Sequence, residues 1–396
     1  MLTSPFAVFW IFLRLGCTSF GGPIAHIGYF RTEFVERRKW LDDQAFGDLV
    51  SICQFTPGPA SSKVGIALGA SRAGIAGAIA AWLGFTLPSA LVLIAFGYGL
   101  DLMGPETLRA GWLHGLKIAA VAVVTQAVWS MGRQLCPDRA RASFAILAAL
   151  LVLSWHSALS QIAVIAAGAI AGWRLLHGAA LPASGHLDFR VHRRLGWTAW
   201  VAFFALLALL PVLARLTGNH ALALFDSFYR AGSLVFGGGH VVLPLLRAEV
   251  VPTGWVGDDQ FLAGYGIAQA VPGPLFTFAA YLGTVAKGTP SGWPGGALTL
   301  VAIFLPAFFL ALGPLPFWTT WRRHPAIRAS LSGVNAAVVG ILLAALYDPI
   351  FTTSVRSPLD FALALAAFGL LFFWRVSPLW VVAFAALGGE AIARIA

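Results

Sequence analysis

One pattern of residues occurs twice in this chain, near the start and again just past the middle, and it constrains the fold more than any other feature. The first copy contains Arg14-Leu15-Gly16, Phe20-Gly21-Gly22-Pro23, Glu33, Trp40, Asp42-Asp43-Gln44, Gln54 and Pro57-Gly58-Pro59. The second contains Arg230-Ala231-Gly232, Phe236-Gly237-Gly238-Gly239, Glu249, Trp255, Asp258-Asp259-Gln260, Gln269 and Pro272-Gly273-Pro274. Because 216 positions separate Arg14 from Arg230 and 215 separate Pro59 from Pro274, a single one-residue gap aligns the two blocks. The chain therefore contains two copies of one folding unit.

The composition places most of the chain in lipid. Hydrophobic residues make up 59% of the 396 positions and charged residues only 11%, which leaves too little polar surface to cover a soluble globule. Long apolar runs recur from end to end, and about 18 apolar residues are enough for a helix to cross the bilayer core. The stretches 199–213 and 297–312 are apolar throughout instead of alternating, so the pattern predicts helices and not a barrel.

The apolar runs predict an all-α integral membrane protein with about 13 transmembrane helices. The predicted spans are 5–29, 45–70, 73–99, 110–131, 143–156, 158–176, 197–214, 222–246, 259–286, 294–315, 328–346, 359–373 and 376–393. The last two spans of each copy are short, so each pair is alternatively a tilted or partly inserted hairpin. Six segments per copy plus one connecting span make the second copy enter from the opposite side, and the repeats are therefore predicted to have inverted topology.

These spans divide the chain into four parts. They are an N-terminal repeat at 1–176, a basic linker at 177–196, a connecting span at 197–214 and a C-terminal repeat at 215–396. Lys and Arg accumulate in cytoplasmic loops, and the larger basic set shares a side with the N-terminus, so we expect the N-terminus and the linker in the cytoplasm. The loop that carries Arg31, Arg37, Arg38 and Lys39 is expected on the opposite side. Most of the net charge of +10 lies in loops, and no nucleic-acid partner is predicted.

Each copy places an arginine inside a membrane segment, ahead of a glycine-rich break. An arginine in a membrane helix is costly and usually faces a cavity or a partner, although Arg14 and Arg230 could instead reach the interface. A guanidinium group suits a tetrahedral oxyanion because it donates two parallel hydrogen bonds. The glycine runs would expose backbone N–H groups at the start of a half-helix, which attract an anion, with a helix-packing seam as the alternative. The candidate substrate-binding residues in these runs are Gly21, Gly22, Pro23, Gly237, Gly238 and Gly239.

The proline-rich end of each copy predicts a second break. Two prolines around a glycine remove helix hydrogen bonds, and freed backbone is tolerated at membrane depth only against protein or a wet cavity. Neutral side chains beside the breaks add donors for an anion. The candidate substrate-binding residues here are Gln54, Thr56, Pro57, Gly58, Pro59, Gln269, Pro272, Gly273 and Pro274.

Two lysines add positive charge to the first copy only. Lys63 and Lys117 lie in apolar surroundings, whereas the second copy has Thr277 or Phe278 near the first position and Asn335 at the other. A single asymmetric substrate site that depends mainly on the first copy would explain the difference, although Lys63 could instead reach the interface. We therefore add both lysines to the candidate substrate-binding residues.

Histidine and buried carboxyl groups titrate nearest to neutral pH, so they are the candidates for proton coupling. These candidates are His26, Glu33, His240 and Glu249. Neither catalysis, a cofactor nor a metal site is predicted. The cysteines at 17, 53 and 136 form no C-x-x-C pair, and no phosphate-binding loop or ligand set for a redox group is present.

The F-G-G-P run, the E-x6-W-L-D-D-Q segment, the Q-x-x-P-G-P break and their echoes in the second half resemble the chromate ion transporter family in its long two-domain form. The resemblance covers nearly the whole chain. It implies an inner-membrane protein that exports chromate from the cytoplasm, confers chromate resistance and uses the proton motive force, with sulfate as the chemically similar anion. The motif positions it implies are Phe20, Gly21, Gly22, Pro23, Gln54, Pro57, Gly58 and Pro59. The second glycine run ends in Gly239-His240 instead of proline, which puts equal roles for the two halves in doubt.

Membrane potential alone can drive the export of a dianion, because moving two charges out of a cell that is negative inside releases about 2 × 2.3 kcal/mol per 100 mV. Two alternatives stay open. An importer of sulfate or another oxyanion differs in the direction of accumulation, and a lipid-intermediate flippase differs in competition by a lipid pyrophosphate. The glycines at 65, 69, 74 and 77 could pack within or between subunits, so a homodimer is also left open.

Overall fold

The computed structural model describes residues 4–19, 22–103, 111–155, 158–176, 193–235, 241–317 and 324–395, and every regular element in them is helical. The helices are α1 (Pro5–Thr18), α2 (Gly22–Arg31), α3 (Asp43–Phe55), α4 (Ala60–Met103), α5 (Gly111–Leu135), α6 (Arg139–Ser154), α7 (Ala158–Leu175), α8 (Arg193–Thr217), α9 (His220–Leu234), α10 (Val242–Val250), α11 (Asp258–Ala270), α12 (Phe278–Val285), α13 (Gly292–Leu312), α14 (Pro325–Ala345), α15 (Pro358–Phe372) and α16 (Pro378–Ile395). A π-helical turn, Thr32–Arg37, continues α2, another, Leu346–Phe351, continues α14, and a 3₁₀ turn, Leu275–Thr277, precedes α12.

Side-chain caps fix where several helices begin. At the start of α3, Ala45 N donates to Asp42 Oδ1 at 2.7 Å. At the start of α15, Asp360 N donates to Ser357 Oγ at 3.2 Å while Ser357 N donates to Asp360 Oδ2 at 3.0 Å. Such caps satisfy N–H groups that have no partner within the helix and stabilise a helix by about 1 kcal/mol each.

Helices α1 and α2 form a hairpin. His26 on α2 hydrogen-bonds to the Ser19 carbonyl, and further back along α1 the Phe12 ring lies 5.7 Å from Phe30 and 5.1 Å from Phe34. The chain therefore enters along α1 and returns along α2 to the side from which it came. With 14 residues, α1 is about 21 Å long, which is less than the roughly 30 Å of the hydrocarbon core.

Helix α3 and the first arm of α4 form a second hairpin from the same side. Leu49 and Cys53 share a buried apolar cluster with Val64 and Leu68. Helix α4 then breaks at Ala73 and Gly74, where Gly74 has φ 61° and ψ −149°, and its second arm runs on to Met103. Beside this break, Arg72 Nη2 donates to Trp40 O at 2.9 Å. The loop before α3 and the end of the first arm of α4 therefore lie together.

The second repeat folds in the same way. Phe261 on α11 packs against Phe278 on α12 with ring centroids 5.1 Å apart, and Arg230 on α9 contacts Glu249 on α10. Lys287 N donates to Trp255 O at 2.8 Å, which joins the loop before α11 to the end of α12. Both helix pairs are thus hairpins that enter and leave on one side.

These hairpins correct the predicted spans. The stretches 5–29, 45–70, 222–246 and 259–286 are predicted as continuous crossings, but each contains two short helical segments that pair as a hairpin. The count of 13 is not confirmed: among the described residues, five helices are long and apolar enough to cross a membrane. They are Ala60–Leu100, Gly111–Arg133, Arg193–Thr217, Gly292–Phe317 and Pro325–Ser354.

The hairpins also correct the predicted side of one loop. Arg31, Arg37, Arg38 and Lys39 are expected opposite the N-terminus, but the return of α2 and the contact between Trp40 and Arg72 place their loop on the N-terminal side. Two predicted crossings would return the chain to its starting side, and two hairpins do the same. The predicted sides of all later segments are therefore unchanged. We call the side of the N-terminus the N side and the other side the far side.

The second arm of α4 and helix α13 show that the repeats are inverted. Both follow the paired hairpins of their repeat, so they are equivalent helices. The Trp82 ring lies 5.9 Å from the Phe304 ring. Later in α4, Tyr98 Oη accepts from Trp293 N, near the start of α13, at 2.8 Å. Later residues of α4 therefore contact earlier residues of α13, and the two helices are antiparallel. The predicted inverted topology is confirmed.

Helices of the two repeats pack against each other through glycine contacts. On α5, Gly115 packs against the backbone of Ala385 on α16, and on α14, Gly333 packs against Gly168 and Gly172 on α7. No side chain separates the helices at these points, because a Cβ on either glycine would overlap backbone atoms of the facing helix. Each repeat thus packs one of its helices on the last helix of the other repeat.

Helix α8 connects the repeats and turns large apolar side chains outward. Trp197, Val201, Phe204, Val212 and Leu216 are each more than half exposed. Apolar surface of this extent along one helix is typical of contact with lipid. Residues 177–192, most of the predicted linker, lie outside the described part of the chain.

Candidate functional site

The two P-G-P breaks cross over to the opposite repeat. Gly58 N in the first break donates to Val235 O at the end of α9 at 2.6 Å, and Gly273 N in the second donates to Ser19 O at the end of α1 at 2.9 Å. Gly58 has φ 96° and Gly273 has φ 100°, values that favour glycine over residues with a side chain. The hairpin tips of both repeats therefore meet near the middle of the protein in one reciprocal arrangement.

Lys63 holds the first break together. The side chain is fully buried, and Nζ donates to Thr56 O at 2.6 Å, to Thr56 Oγ1 at 2.8 Å and to Pro57 O at 2.7 Å. These carbonyls end α3, where a cation is favourable because the helix dipole is negative there. No carboxylate among the described residues pairs with Lys63, so the tip is held by a positive charge that is balanced only by dipoles.

His26 lies at the tip of the first repeat, beside a contact between the two repeats. Its Nε2 lies 3.2 Å from Ser19 O and its Nδ1 lies 3.2 Å from Ser61 Oγ, with the ring 1% exposed. A carbonyl only accepts, so Nε2 carries a proton, and Nδ1 can then accept from the serine hydroxyl. The same Ser19 carbonyl accepts from Gly273 N, and His26 is therefore one hydrogen bond away from the break of the other repeat.

A cavity of about 510 Å³ lies beside these tips, and we call it the tip cavity. The start of α2 and the end of α11 form two of its walls, and α5 and the turn between α15 and α16 form the others. Its polar lining includes Gly22, Gln126, Gln269, Gly273, Arg375 and Ser377. No Asp or Glu is present in the described lining, and Arg375 contributes a guanidinium group. Donors without a nearby carboxylate suit an anion.

Gln269 places a side-chain amide at the cavity. The buried amide lies beside the Tyr265 hydroxyl. An amide nitrogen carries two N–H donors, so one contact with Tyr265 leaves a second N–H for a ligand or water. Gln269 lies at the end of α11, directly before the second break, where the repeated motif places it.

The structure brings only part of the predicted site into the tip cavity. Gly22, Pro23, Gln269 and Gly273 line it, whereas Gln54, the partner of Gln269 in the repeat, is exposed elsewhere. Thr56, Pro57, Gly58, Pro59, Pro272 and Pro274 form the hairpin tips themselves. Gly21, Gly237, Gly238, Gly239 and His240 lie outside the described residues.

The two repeated arginines have different surroundings. Arg14 is exposed and lines a separate cavity with Glu33 and Arg37, and Tyr29 borders both this cavity and the tip cavity. Glu33 pairs with Arg38 at 2.7 Å and not with Arg14. Among the described residues, no carboxylate lies within ion-pair distance of Arg14, so its guanidinium is available.

Arg230 is enclosed by carboxylates. It donates to Glu249 through Nη1 at 2.7 Å and Nη2 at 3.0 Å, and it pairs with Asp226 at 2.9 Å. This bidentate contact ties α9 to α10. Glu249, a predicted proton-coupling residue, is thus occupied by the arginine of its own hairpin.

Sequence reasoning missed Gln126, Arg375 and Ser377. They lie outside the repeated blocks, and the fold brings them to the tips only because α5 and α16 pack together across the repeats. An uncharged Gln inside an apolar run was the one available signal for Gln126. Lys117, in contrast, lies near the start of α5 and lines a different cavity.

The geometry defines a class of protein. Inverted helical repeats with broken helices around a polar cavity at mid-depth are the architecture of secondary membrane transporters. The chain belongs to one family of that class: the family model described as chromate transporter matches residues 6–173 and 222–390. The chain is accordingly a multi-pass membrane transporter, and each repeat carries one copy of the family unit.

Three named relatives are similar over most of their length. A chromate transport protein of Pseudomonas aeruginosa is 31% identical over 92% of this chain and 85% of its own length. A chromate transport protein of Cupriavidus metallidurans is 28% identical over 96% and 90%, and a probable chromate transport protein of Synechococcus elongatus is 26% identical over 84% and 81%. No solved structure shows a significant match to the chain.

Proposed function

We propose that this protein exports chromate from the cytoplasm through the tip cavity. The observation that carries the proposal is the lining of that cavity, which offers Arg375, Gln126 and the Gln269 amide but no carboxylate among the described residues. The named relatives support chromate as the substrate.

A tetrahedral dianion matches these donors. The guanidinium of Arg375 can donate to two oxygens in parallel, and hydrogen bonds to charged groups contribute about 1.5–3 kcal/mol each. The buried charge of Lys63 favours an anion at the tips without contacting it, because all three of its N–H groups are used within the break. Sulfate has the same shape and charge, so we expect it to compete.

Basic residues favour the N side as cytoplasmic. With the first hairpin pair corrected, Arg31, Arg37, Arg38 and Lys39 join Arg72 on the N side, which strengthens the bias. In a bacterial inner membrane the potential then drives a dianion outward with about 2 × 2.3 kcal/mol per 100 mV. This gradient is sufficient for chromate resistance.

Proton antiport is the second part of the proposal. His26 is the candidate that shares an acceptor with the second repeat, because the Ser19 carbonyl that it contacts also accepts from Gly273 N, whereas Glu33 and Glu249 are held by arginines. A proton added at Nδ1 would turn that atom from acceptor to donor and change the contact with Ser61. Such a switch would link the protonation of His26 to the position of the tips.

The test is chromate uptake into everted membrane vesicles with an imposed potential, an imposed pH gradient, or neither. We expect uptake that follows the potential and falls with excess sulfate. Gln126→Leu and Arg375→Gln should each slow uptake at least tenfold, while Arg174→Gln, at the end of α7, serves as the matched arginine control. Absence of uptake by correctly inserted protein would refute chromate export and leave sulfate import or lipid flipping.

Growth on chromate gives an independent readout. Cells that produce the protein should tolerate more chromate than cells that produce Arg375→Gln in equal amount. Equal tolerance would show that any vesicle uptake is too slow to protect a cell.

A further inference from the structure

A second polar cavity, also of about 510 Å³, lies at the far end of the helices that line the tip cavity. We call it the Lys117 cavity. His114 and Lys117 come to it from α5, Asp259 from α11, and Arg356 and Asp360 from the start of α15. Of these residues, only Lys117 is predicted from the sequence as a candidate substrate-binding residue.

The two cavities lie in line along shared helices. On α5, Lys117 lines one cavity and Gln126 the other, nine residues or about 13 Å further on. On α11, Asp259 lines the first and Gln269 the second. Helices α15 and α16 each line the Lys117 cavity with one end and the tip cavity with the other end. One continuous group of helices therefore borders polar space toward both sides of the protein.

Close backbone packing separates the two cavities. Gly266 on α11 meets the Leu116 carbonyl, and Gly115 on α5 meets the Ala385 carbonyl, so closely that a Cβ on either glycine would overlap the facing backbone. Leu116 lies directly beside Lys117 in the chain. The constriction is thus made of glycines packed against facing backbone.

The two carboxylates in the Lys117 cavity differ in how many contacts fix them. Asp360 accepts from Arg356 N and Ser357 N at 3.0 Å each and contacts His114 Nε2 at 2.9 Å, so it is fixed by the cap of α15. Asp259 contacts Lys117 Nζ at 2.5 Å and is otherwise half exposed, at 53%, whereas the Lys117 side chain is 4% exposed. The solvent-exposed member of the pair is therefore the aspartate.

We propose that Lys117 is a second binding station for the transported oxyanion, and that Asp259 closes this station by occupying the lysine until the anion arrives. The inference rests on the proposed function. Asp259 can leave to water at small cost because it is already exposed, but Lys117 cannot be left unpaired in a buried position. An oxyanion that passes the constriction takes the place of the carboxylate, and the return of Asp259 displaces it to the far side.

The test compares Lys117→Gln, Asp259→Asn and the double variant K117Q/D259N in the vesicle uptake assay. Lys117→Arg keeps the charge and should retain part of the activity. Arg394→Gln is the matched control, because Arg394 lies at the same end of the protein in an exposed ion pair with Glu390 at 3.1 Å and does not line the cavity. Membrane content of each variant is measured by immunoblot.

The double variant is decisive, because it removes both charges and leaves no unpaired one. We expect Lys117→Gln and the double variant each to slow chromate uptake at least tenfold. If Lys117 served only to anchor Asp259, the double variant would regain wild-type uptake, and that result would overturn the proposal.

Asp259→Asn tests the competition directly. Without the carboxylate, the half-saturating chromate concentration should fall at least threefold, and an unchanged value would count against a closing role for Asp259. Absence of uptake by the wild-type protein would instead overturn chromate export itself. Normal wild-type uptake with an active double variant would overturn the second station alone.

Discussion

The two repeats share a backbone but differ in the chemistry at their tips. In the first repeat the tip is polar and buried, and in the second the equivalent positions are apolar. The polar set is His26, Thr56, Ser61 and Lys63, and the equivalent residues are Val242, Val271, Phe276 and Phe278. The reciprocal hydrogen bonds of Gly58 and Gly273 nevertheless have the same geometry in both.

The repeated arginines differ in their ion pairing. Arg230 is neutralised by Glu249 and Asp226. Among the described residues, Arg14 of the first repeat therefore has no carboxylate partner, whereas its equivalent in the second repeat has two. Backbone symmetry supplies two equivalent sets of hairpins, while the side chains make the two tips chemically different.

Electrostatics explains why the polar tip occurs once. Among the described residues Lys63 is buried without a carboxylate partner, and a second lysine at the buried position of Phe278 would add another uncompensated charge. A single buried cation attracts a dianion, whereas two would make the empty protein costly to fold. The comparison therefore predicts large effects for the first tip and small ones for its apolar counterpart.

Lys63→Met should have the largest effect on transport. The substitution removes the positive charge and leaves the Thr56 and Pro57 carbonyls without a donor, at about 1–3 kcal/mol each, so we expect chromate uptake to fall about a hundredfold. Phe278→Met, the matched change in the other repeat, should slow uptake less than threefold. Equal losses in both variants would show that the polar tip has no special role.

Arg230→Ala should mainly affect stability. It leaves Glu249 and Asp226 partly buried without their cation, which costs about 3 kcal/mol, and the melting temperature of the purified protein reports it. Arg14→Ala should leave the melting temperature nearly unchanged and slow uptake about tenfold, because an available guanidinium is lost from the neighbouring cavity. The reverse pattern would contradict the distinction between the two arginines.

The sequence predicts the helical class, the duplication and the inversion, because apolar length, repeated motifs and segment parity are local or additive features. It misses the hairpins, since a run such as 45–70 is long enough to cross and composition does not show that the chain turns back at Pro57–Pro59. In the first repeat Lys63 binds the carbonyls at the end of α3, and in both repeats the glycine of the break bonds to the opposite repeat, contacts that are made only after folding.

The site is predictable in part for the same reason. Gly22, Gln269 and Gly273 belong to repeated motifs and line the tip cavity, but Gln126 and Arg375 arrive through packing of α5 on α16. Identical motif letters also concealed different surroundings: Gln54 is exposed while Gln269 is at the cavity. Repeat symmetry therefore locates the backbone of the site and not its full set of ligands.

His26→Gln should remove proton coupling with a moderate loss of rate. Glutamine can keep one hydrogen bond to Ser19 O but cannot take up a proton, so we expect uptake to fall about fivefold, the equivalent of one lost hydrogen bond. The response to an imposed pH gradient should disappear while the response to potential remains. Ser61→Ala keeps the imidazole but removes the contact that protonation would change, so it should weaken the pH response. A normal pH response in His26→Gln would assign the coupling to another group.

The smallest expected effect distinguishes the two breaks themselves. Alanine at Gly58 or Gly273 must adopt a positive φ, at a cost of about 1–2 kcal/mol in either repeat. A Cβ at Gly273 would also lie 3.0 Å from Ser89 Oγ and 3.3 Å from Phe85 O, whereas at Gly58 the nearest atom, Gly232 O, is 3.4 Å away. Uptake should therefore fall a few-fold further in Gly273→Ala than in Gly58→Ala, and Ser89→Ala should recover part of the difference. If both alanine variants were equally slow, the backbone angle would be the whole cause, and the tighter packing around the second break would contribute nothing to transport.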